Sequence, residues 1–346
     1  MPKSEIAAIG EILIDFIAEQ EAPLEDVQSF RKFAGGAPAN VVVGIRRLGI
    51  PVILISKVGN DAFGQFLIKS LQHEGVDTTY VLKDNEYHTG VVFVQLIGAQ
   101  PEFILYSDVA YNNIKEDEIP KPLIQQLKVL HFGSVLFTQE PSRTAVFKTV
   151  EYARNFDVLI TYDVNIRKDL WRGRIEDMWT DVLTGVKLSD IVKFSDSEIL
   201  DLADELGIRD KKTDIVLDIL FKLGPKLIII TKGAKGATFY QKLKRKIVVI
   251  DIPPYPVTPV DTTGAGDAFM AAVIAGIYGF MKTRGYPSLT KRYLYKLGRF
   301  AVIVAALSTL HKGAWSVPKI DTIKVKEISN ILRNIKQVIT KQDDAT

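Results

Sequence analysis

The sequence predicts an α/β protein whose central sheet is mostly parallel and is covered by helices on both faces. Two observations support this prediction. Short runs rich in β-branched residues alternate along the chain with segments of helical periodicity. One run, Leu227–Ile230, is apolar at every position, as expected for a strand buried on both faces of a sheet. Such alternation favours parallel strands that are joined by helices.

The predicted elements cover most of the chain. The strands are Val52–Lys57, Val91–Leu96, Val129–Phe132, Val158–Asp163, Ile191–Phe194, Lys226–Thr231 and Ile247–Ile250. The helices are Ala39–Leu48, Phe63–Glu74, Ser142–Asn155, Arg174–Leu188 and Lys212–Leu223. Two further regions, residues 11–33 and 89–108, hold strand-like runs without a helix between them, and they predict a small second sheet that could act as a lid. No linker divides the chain, which predicts one domain over residues 1–340 and a frayed polar tail at residues 341–346.

Composition excludes several classes of site and partner. The 346 residues contain no cysteine, so disulfides and cysteine–zinc sites are excluded, and the four histidines lack metal-ligand spacing. A net charge of +3 gives no reason to expect nucleic-acid binding. The first residues do not resemble a signal peptide, and the apolar stretches Ala268–Tyr278 and Ala301–Leu307 fall short of the roughly 18 residues of a membrane span. We therefore expect a cytoplasmic protein without a membrane or nucleic-acid partner.

The most informative segment is Pro259–Asp267, Pro-Val-Asp-Thr-Thr-Gly-Ala-Gly-Asp, which an apolar helical pattern follows at once. Glycines before a helix allow tight turns, and the free N–H groups of the first helical turn can point at an anion. The helix dipole also favours negative charge at that end. The backbone of Gly264, Ala265 and Gly266 is therefore a candidate cradle for a phosphate group.

Asp267 is the candidate catalytic residue of this segment. A carboxylate beside an anion site repels the anion, so it suits a second task, which is to accept a proton from an attacking hydroxyl group. The alternative is that Asp267 only stabilises the start of the helix and that the glycines only form a turn.

This segment resembles the C-terminal signature of the ribokinase-like, PfkB-type carbohydrate kinases. Other matching segments follow in order over about residues 6–318. They are Gly10-Glu11-x-Leu13-Ile14-Asp15, Gly35-Gly36-Ala37-Pro38-Ala39-Asn40, Lys57-Val-Gly-Asn-Asp-Ala-Phe-Gly64, Asp163-Val-Asn-x-Arg167 and Lys312-Gly313-Ala314. The fructokinase branch of the family is the most similar. The resemblance implies a three-layer α/β/α ribokinase-like fold with a β-sheet lid, and an ATP-dependent kinase acting on a small sugar.

The resemblance also implies roles for individual residues. Asp267 would be the general base, and the backbone of residues 264–266 would form the anion hole. The sugar would be bound by Asp15, Gly35, Gly36, Asn40 and Arg167, with Gly36 letting the sugar approach the backbone. The residues alone leave other roles open: a strand-end position for Asp15, a helix N-cap for Asn40 and a surface ion pair for Arg167.

For the nucleotide, the resemblance implies a site built from the turn Thr231-Lys-Gly233-Ala-Lys-Gly236 together with Gly264 and Gly266. Ser195 and Glu198 match the family's magnesium-associated motif, in which Ser195 replaces an asparagine, and Glu198 is expected to act on Mg²⁺ through water. A monovalent cation, usually K⁺, is expected beside the anion hole. Its candidate ligands are Asp261, Thr263, Ser308, His311, Gly313 and Ser316.

The substrate is expected to be a neutral sugar, fructose first. Ala37 stands where ribokinases often have lysine, and Ser107 stands on the lid where kinases of the sugar acid 2-keto-3-deoxygluconate have arginine. Because fructokinases also tend to have that arginine, the second departure weakens fructose as well. Kinases of ketodeoxygluconate, ribose or a nucleoside therefore remain alternatives, as does a catalytically silent sugar- or nucleotide-binding protein. A dinucleotide-dependent dehydrogenase is disfavoured because no Gly-x-Gly-x-x-Gly follows the first strand. A homodimer through the lid is left open.

Overall fold

A nine-stranded sheet forms the centre of the molecule. The structure, a computed structural model, describes residues 4–97, 100–106, 108–171, 173–244, 246–284 and 289–343. In spatial order the strands are β13 (Lys246–Ile252), β12 (Ala237–Leu243), β11 (Leu227–Thr231), β10 (Ile191–Ser195), β9 (Leu159–Asp163), β8 (Val129–Gly133), β1 (Ile6–Ile9), β4 (Ile53–Gly59) and β5 (Val81–Asp84). All neighbouring pairs are parallel except those of β12, which is antiparallel to both β11 and β13.

Helices cover both faces of this sheet and give three layers. The helices are α1 (Ala37–Arg47), α2 (Ala62–His73), the one-turn α3 (Lys121–Ile124), α4 (Ser142–Arg154), α5 (Ile175–Leu188), α6 (Asp196–Glu205), α7 (Thr213–Leu223), α8 (Ala265–Arg284), α9 (Lys291–Ser308) and α10 (Ser329–Asp343). One core packs α1, α2 and α8–α10 against the sheet, and the other packs α3–α7. Successive residues of β1 alternate between these two cores, which explains its uninterrupted apolar sequence. The predicted fold class is confirmed.

A second sheet stands beside the first and contains the predicted lid strands. Its order is β3 (Phe30–Gly35), β2 (Leu13–Ala18), β6 (Val91–Ile97) and β7 (Gln100–Leu105). The start of β6 is fixed to the main domain by Asp61. This carboxylate accepts hydrogen bonds from the backbone N–H of Thr89 at 2.9 Å and from that of Gly64 at the start of α2. The motif around residues 57–64 therefore joins the lid to the first helix that follows β4.

Two details differ from the sequence prediction. The tail predicted to fray from residue 341 is helical as far as Asp343, where α10 ends, and residues 344–346 lie outside the described residues. The sequence reasoning also gave no helices for α9 and α10, whose apolar positions pack against α8 in the same core.

Helix α8 is the element that positions the site. Its segment Ala265–Thr283 is long and apolar enough to cross a membrane, but 72% of that segment is buried inside the protein. It packs against α1, α9 and α10. Such burial is typical of the core helix of a soluble protein.

Candidate active site

The predicted catalytic and sugar-binding residues meet where α8 begins. Helices α1 and α8 cross closely because Gly44 has no side chain: a Cβ there would lie 2.6 Å from the Cβ of Ala271. Asn40 and Asp267 each lie one helical turn before these contact residues. Their side chains therefore meet, and Asn40 Nδ2 donates to Asp267 Oδ2 at 2.7 Å. Asn40 is thus inside α1 and is not its N-cap.

Asp267 is buried, with 8% of its surface exposed. Burial and, to a lesser extent, the charge of nearby Asp163 raise the pKa of its carboxyl group, and the net value is about 6, against 3.8 for an ordinary aspartate. The hydrogen bond from Asn40 and the positive charges of Lys193 and Arg167 lower the pKa in part. A carboxylate with a pKa near 6 is ionised at neutral pH and is a better proton acceptor than an ordinary aspartate.

Two more carboxyl groups lie beside Asp267. Burial raises the pKa of Asp15 to about 7 and that of Glu11 to about 7, and in both cases the charge of Asp267 contributes to the increase. Asp15 lies on β2 opposite the lid strand β3, where Gly35 makes room for it: a Cβ on Gly35 would come within 2.0 Å of the Asp15 carboxylate. Asp15 is therefore within a strand, and not at its end. We call Glu11, Asp15 and Asp267 the acidic wall.

Gly36 and Glu11 together shape the start of α1. Gly36 has φ +103°, and a Cβ there would come within 2.5 Å of the backbone oxygen of Glu11. Backbone packing thus requires glycine at this position, and the approach of a sugar to Gly36 stays a prediction. Glu11 Oε1 accepts a hydrogen bond from the backbone N–H of Ala37 at 2.8 Å, while Oε2 is buried without a partner among the described residues.

The opposite side of the site is positively charged. Gly264 has φ +75°, and a Cβ there would clash with Ala314, so the turn before α8 requires glycine. At Gly266 a Cβ would meet only Lys193, with Nζ at 3.6 Å, which is an ordinary contact. Protein packing alone does not require glycine at 266. At Gly266 the first turn of α8 therefore borders open space that faces a lysine, whereas the backbone N–H of Ala265 donates to Thr262 O at 3.1 Å within the turn.

Lys193 was not identified from the sequence. It lies on β10, is only 5% exposed and forms an ion pair with Asp163 of β9, the Nζ–Oδ1 distance being 2.5 Å. The second oxygen of Asp163 is buried and has no hydrogen-bond partner among the described residues. From the sequence, a lysine in a strand-like run is expected to face solvent. Its burial is explained only by its pairing with Asp163, thirty residues away.

A cleft of about 530 Å³ joins Lys193 and Gly266 to the predicted nucleotide residues Ser195, Glu198 and Thr231. The Glu198 carboxylate accepts hydrogen bonds from the backbone N–H groups of Ser195 at 2.7 Å and Ile166 at 2.8 Å. It closes a capping box at the start of α6 and holds the loop after β9 in place. Glu198 has a structural role, whatever it contributes to Mg²⁺ binding.

Arg167 lies in the same cleft and is exposed. Its guanidinium donates to Asn165 Oδ1 at 2.6 Å, and no carboxylate among the described residues lies within ion-pair distance of it. The surface ion pair considered from the sequence is therefore not formed. Its charge nevertheless lowers the pKa of each carboxyl group of the acidic wall.

The turn after β11 lies at the edge of this cleft. Thr231 is the register partner of Ser195, so the two predicted nucleotide segments are adjacent. Gly236 has φ +88°, and a Cβ there would meet the backbone oxygen of Ile252, whereas Gly233, at φ +53°, faces open space. The two glycines thus serve the turn, and Gly233 leaves the surface beside it open.

The predicted cation residues lie on two loops that Asp261 holds together. Its carboxylate accepts from the backbone N–H of Thr263 and from that of Gly313, both at 2.8 Å, which keeps its pKa below the usual value despite burial. The Ser316 hydroxyl donates to the Gly313 oxygen, and Asp261 N donates to Thr309 O, next to Ser308. His311 is exposed, and no described contact ties it to this group. The described residues contain no cluster of three or more His, Cys, Asp or Glu that could hold a metal.

This arrangement combines a buried proton acceptor with an anion-binding helix start, and comparison with known proteins decides the family. The sequence profile of the pfkB family carbohydrate kinases matches residues 3–320. The chain belongs to this family. As a pfkB carbohydrate kinase it has a ribokinase-like fold and is an enzyme that phosphorylates a sugar.

Two relatives, and the structure of one of them, are similar to this pfkB kinase over nearly its whole length. It is 47% identical over 328 residues to the uncharacterized sugar kinase PH1459 of Pyrococcus horikoshii, covering 94% of this chain and 97% of that one. The PH1459 complex with ATP matches with a TM-score of 0.82 at 45% identity, covering 94% and 99% of the chains. Fructokinase-1 of Zea mays is 34% identical over 321 residues, 92% and 94% of the chains.

A third similar protein is a fructokinase with bound ATP from Xylella fastidiosa. Its structure matches the pfkB kinase with a TM-score of 0.82 at 26% identity, covering 98% of this chain and 99% of that one. These ATP complexes support ATP as the nucleotide of this enzyme. The sugar is not established by the comparisons, because the relative with 47% identity is itself uncharacterized.

Proposed function

We propose that this sugar kinase transfers the γ-phosphoryl group of ATP to a hydroxyl group of a neutral sugar, fructose first, with Asp267 as the general base. The carrying observation is the position of Asp267. It is buried, has a pKa of about 6, and follows directly after Gly266, where the helix start faces Lys193. One turn of α8 would thus hold both the proton acceptor and the site of the transferred group.

In the proposed reaction the sugar hydroxyl oxygen attacks the γ-phosphorus as its proton passes to Asp267. The bond from the γ-phosphorus to the bridging oxygen breaks, and ADP leaves with the electron pair. Charge on the transferred group would be stabilised by the backbone N–H groups of Gly264 and Gly266 and by Lys193, and by that of Ala265 only if it leaves Thr262 O. Asp15 and the remaining N–H of Asn40 would hold other sugar hydroxyls, which aligns the attacking one.

Two cations belong to the proposal. Mg²⁺ would neutralise charge on the ATP phosphates. The carboxylate of Glu198 fits an indirect role, because each oxygen accepts one backbone N–H and keeps a second lone pair for a water molecule. K⁺ would lie between the loops that Asp261 holds together, where backbone carbonyls and the Ser316 hydroxyl are close to Gly313.

The acidic wall supports a neutral sugar. Three carboxyl groups line the proposed sugar side, and a substrate carboxylate would be repelled unless arginines compensated for it. Arg167 is one such cation, whereas the lid position where an acid-binding kinase has a second arginine is Ser107, which lies outside the described residues. The similarity to fructokinases favours fructose among neutral sugars.

A substrate panel tests this proposal. ATP-dependent ADP release would be measured with fructose, ribose, 2-keto-3-deoxygluconate and a nucleoside, in Mg²⁺ and K⁺, with Asp267→Asn as the background control. We expect fructose to have the highest kcat/KM, at least about tenfold above the sugar acid, since one lost charge-assisted contact costs roughly 1.5–3 kcal/mol. A preference for the acid would refute the neutral-sugar assignment. No turnover above the background with any substrate would refute the proposed reaction.

The setting of the enzyme completes the proposal. We propose that residues 1–340 act as one kinase domain in the cytoplasm, consistent with the absence of cysteine.

The lid exposes Phe103, Ile104 and Tyr106 on the edge strand β7 and beside it, at 40%, 45% and 54%. Unpaired edges with apolar side chains favour association, so we propose a homodimer through the lid, and a monomer by light scattering at assay concentration would refute it.

A further inference from the structure

A third side chain completes the contact between Asn40 and Asp267. The indole Nε1–H of Trp315 donates to Asn40 Oδ1 at 2.8 Å, while Asn40 Nδ2 donates to Asp267 Oδ2 at 2.7 Å. The three residues come from distant parts of the chain: helix α1, the first turn of α8 and the loop after α9. Asn40 and Asp267 are buried and Trp315 is half-buried, so the contacts are shielded from water.

The chemistry of the three groups makes this contact directional. An indole N–H is only a donor, and an ionised carboxylate is only an acceptor. The Asn40 amide can satisfy both only with its oxygen towards Trp315 and its NH₂ group towards Asp267. If the amide were reversed, its oxygen would face the carboxylate and its NH₂ group would face another donor. Trp315 therefore fixes the amide in the orientation in which Asn40 donates to Asp267.

This orientation affects Asp267 in two ways. The hydrogen bond from Asn40 lowers its pKa and so counteracts the effects of burial and of Asp163. It also engages one carboxylate oxygen, Oδ2, whereas Oδ1 has no hydrogen bond from a described residue. Oδ1 thus remains the oxygen that can accept a proton. Since one N–H of Asn40 is used by Asp267, its second N–H is left to donate to a substrate hydroxyl.

The loop that carries Trp315 is held against the anion-binding turn. Gly313 donates its backbone N–H to Asp261 Oδ2 at 2.8 Å, and Ala314 packs so closely on Gly264 that a Cβ there would lie 2.7 Å away. Trp315 follows immediately. Its indole is therefore fixed relative to the same turn that precedes Asp267. Asn40 is hydrogen-bonded to Trp315 through its oxygen and to Asp267 through its nitrogen.

We infer that Trp315 is a positioning residue for the general base: acting through Asn40, it keeps the carboxylate of Asp267 oriented with Oδ1 free to accept a proton. This inference rests on the proposed role of Asp267. Trp315 does not touch the reacting atoms. Its loss should therefore affect kcat and its pH dependence more than the binding of either substrate.

The test is Trp315→Phe, which keeps a ring and removes the donor. We expect kcat to fall about tenfold, with both KM values within about twofold of wild type. The pKa seen on the acid side of the kcat/KM profile should rise, because Asp267 loses an oriented donor. The matched control is Trp179→Phe, which removes an indole from α5 in the other core and should leave kcat and the pH profile unchanged.

A double-mutant cycle with Asn40→Ala separates an indirect role from a general loss of stability. If Trp315 acts through Asn40, then Trp315→Phe should cause no further loss of kcat in the Asn40→Ala background. Wild-type kcat and pH dependence in Trp315→Phe, or additive losses in the cycle, would overturn the inference. If Trp315→Phe does not fold, Trp315→Met serves in the same cycle.

The same experiments distinguish this inference from the proposed function. If Asp267→Asn is inactive but Trp315→Phe behaves as wild type, only the positioning role is wrong. If Asp267→Asn keeps more than half of the wild-type kcat, the general base itself is misassigned, and the positioning role is overturned with it.

Discussion

The two sides of the active site carry opposite charge, although they meet within one turn of α8. On one side, Glu11, Asp15 and Asp267 have pKa values raised to between about 6 and 7. On the other side, Lys193 is held cationic by Asp163, and Arg167 is exposed in the cleft. Carboxyl groups with raised pKa values suit hydroxyl binding and proton transfer, whereas cations and N–H groups suit phosphate. The difference divides the acceptor side of the reaction from the donor side.

The largest effect is expected when the buried cation, Lys193, is removed. We expect Lys193→Met to lower kcat by ~10²–10³-fold, because a preorganised charge beside the transferred group is lost. The change also leaves Asp163 as a buried, unpaired charge, which costs roughly 3–5 kcal/mol of stability. Steady-state kinetics and chemical denaturation measure both effects.

The matched control is Lys193→Met combined with Asp163→Asn, which removes both charges. We expect the double variant to recover stability while its kcat stays low. If its kcat returned to within about threefold of wild type, Lys193 would be only the structural partner of Asp163, and the cationic side of the comparison would not hold.

A smaller effect is expected from the acidic side. Asp15→Asn should lower kcat/KM for the sugar about tenfold, through a lost or weakened hydrogen bond, and leave the KM for ATP unchanged. The same change should stabilise the protein. The folded state raises the pKa of Asp15 from 3.8 to about 7, so ionisation of this carboxyl group costs stability as the pH rises through that range.

The gain in stability should therefore depend on pH. At pH 8 Asp15→Asn should raise the free energy of unfolding by ~2–4 kcal/mol, since each pKa unit corresponds to about 1.4 kcal/mol. Near pH 4 the gain should disappear, because Asp15 is then neutral in the folded state. Denaturation curves at the two pH values measure it, and equal stability of variant and wild type at pH 8 would show that Asp15 is not held at a raised pKa.

The sequence predicted the parts of this site that lie within local motifs. The turn before α8 and Asp267 were identified from the glycines and the carboxylate of one segment, and Asp15 and Asn40 from the resemblance of their segments to the family's motifs. The packing that requires these residue types could not be predicted from the sequence. Gly35 makes room for Asp15 across the lid, and Gly36 packs on the backbone of Glu11, neither of which can be read from a single segment.

Residues whose role depends on a distant partner were missed. Lys193 is explained only by Asp163, and Trp315 only by Asn40, 275 positions away. Strand β12 was not among the predicted strands, and its antiparallel direction is set by the hairpin with β13 and by pairing with β11. Helices α9 and α10 depend likewise on packing against α8.

The central claim is that Asp267 accepts the proton of the sugar hydroxyl, and the pH dependence of kcat/KM tests it most directly. With saturating Mg²⁺, we expect the wild-type rate to fall about tenfold per pH unit below an apparent pKa near 6, because protonated Asp267 cannot act as a base. Asp15→Asn should keep this decline, while the residual activity of Asp267→Asn should lack it. A decline near pH 6 that persisted in Asp267→Asn, or a wild-type rate independent of pH between 5 and 7, would contradict the assignment of Asp267.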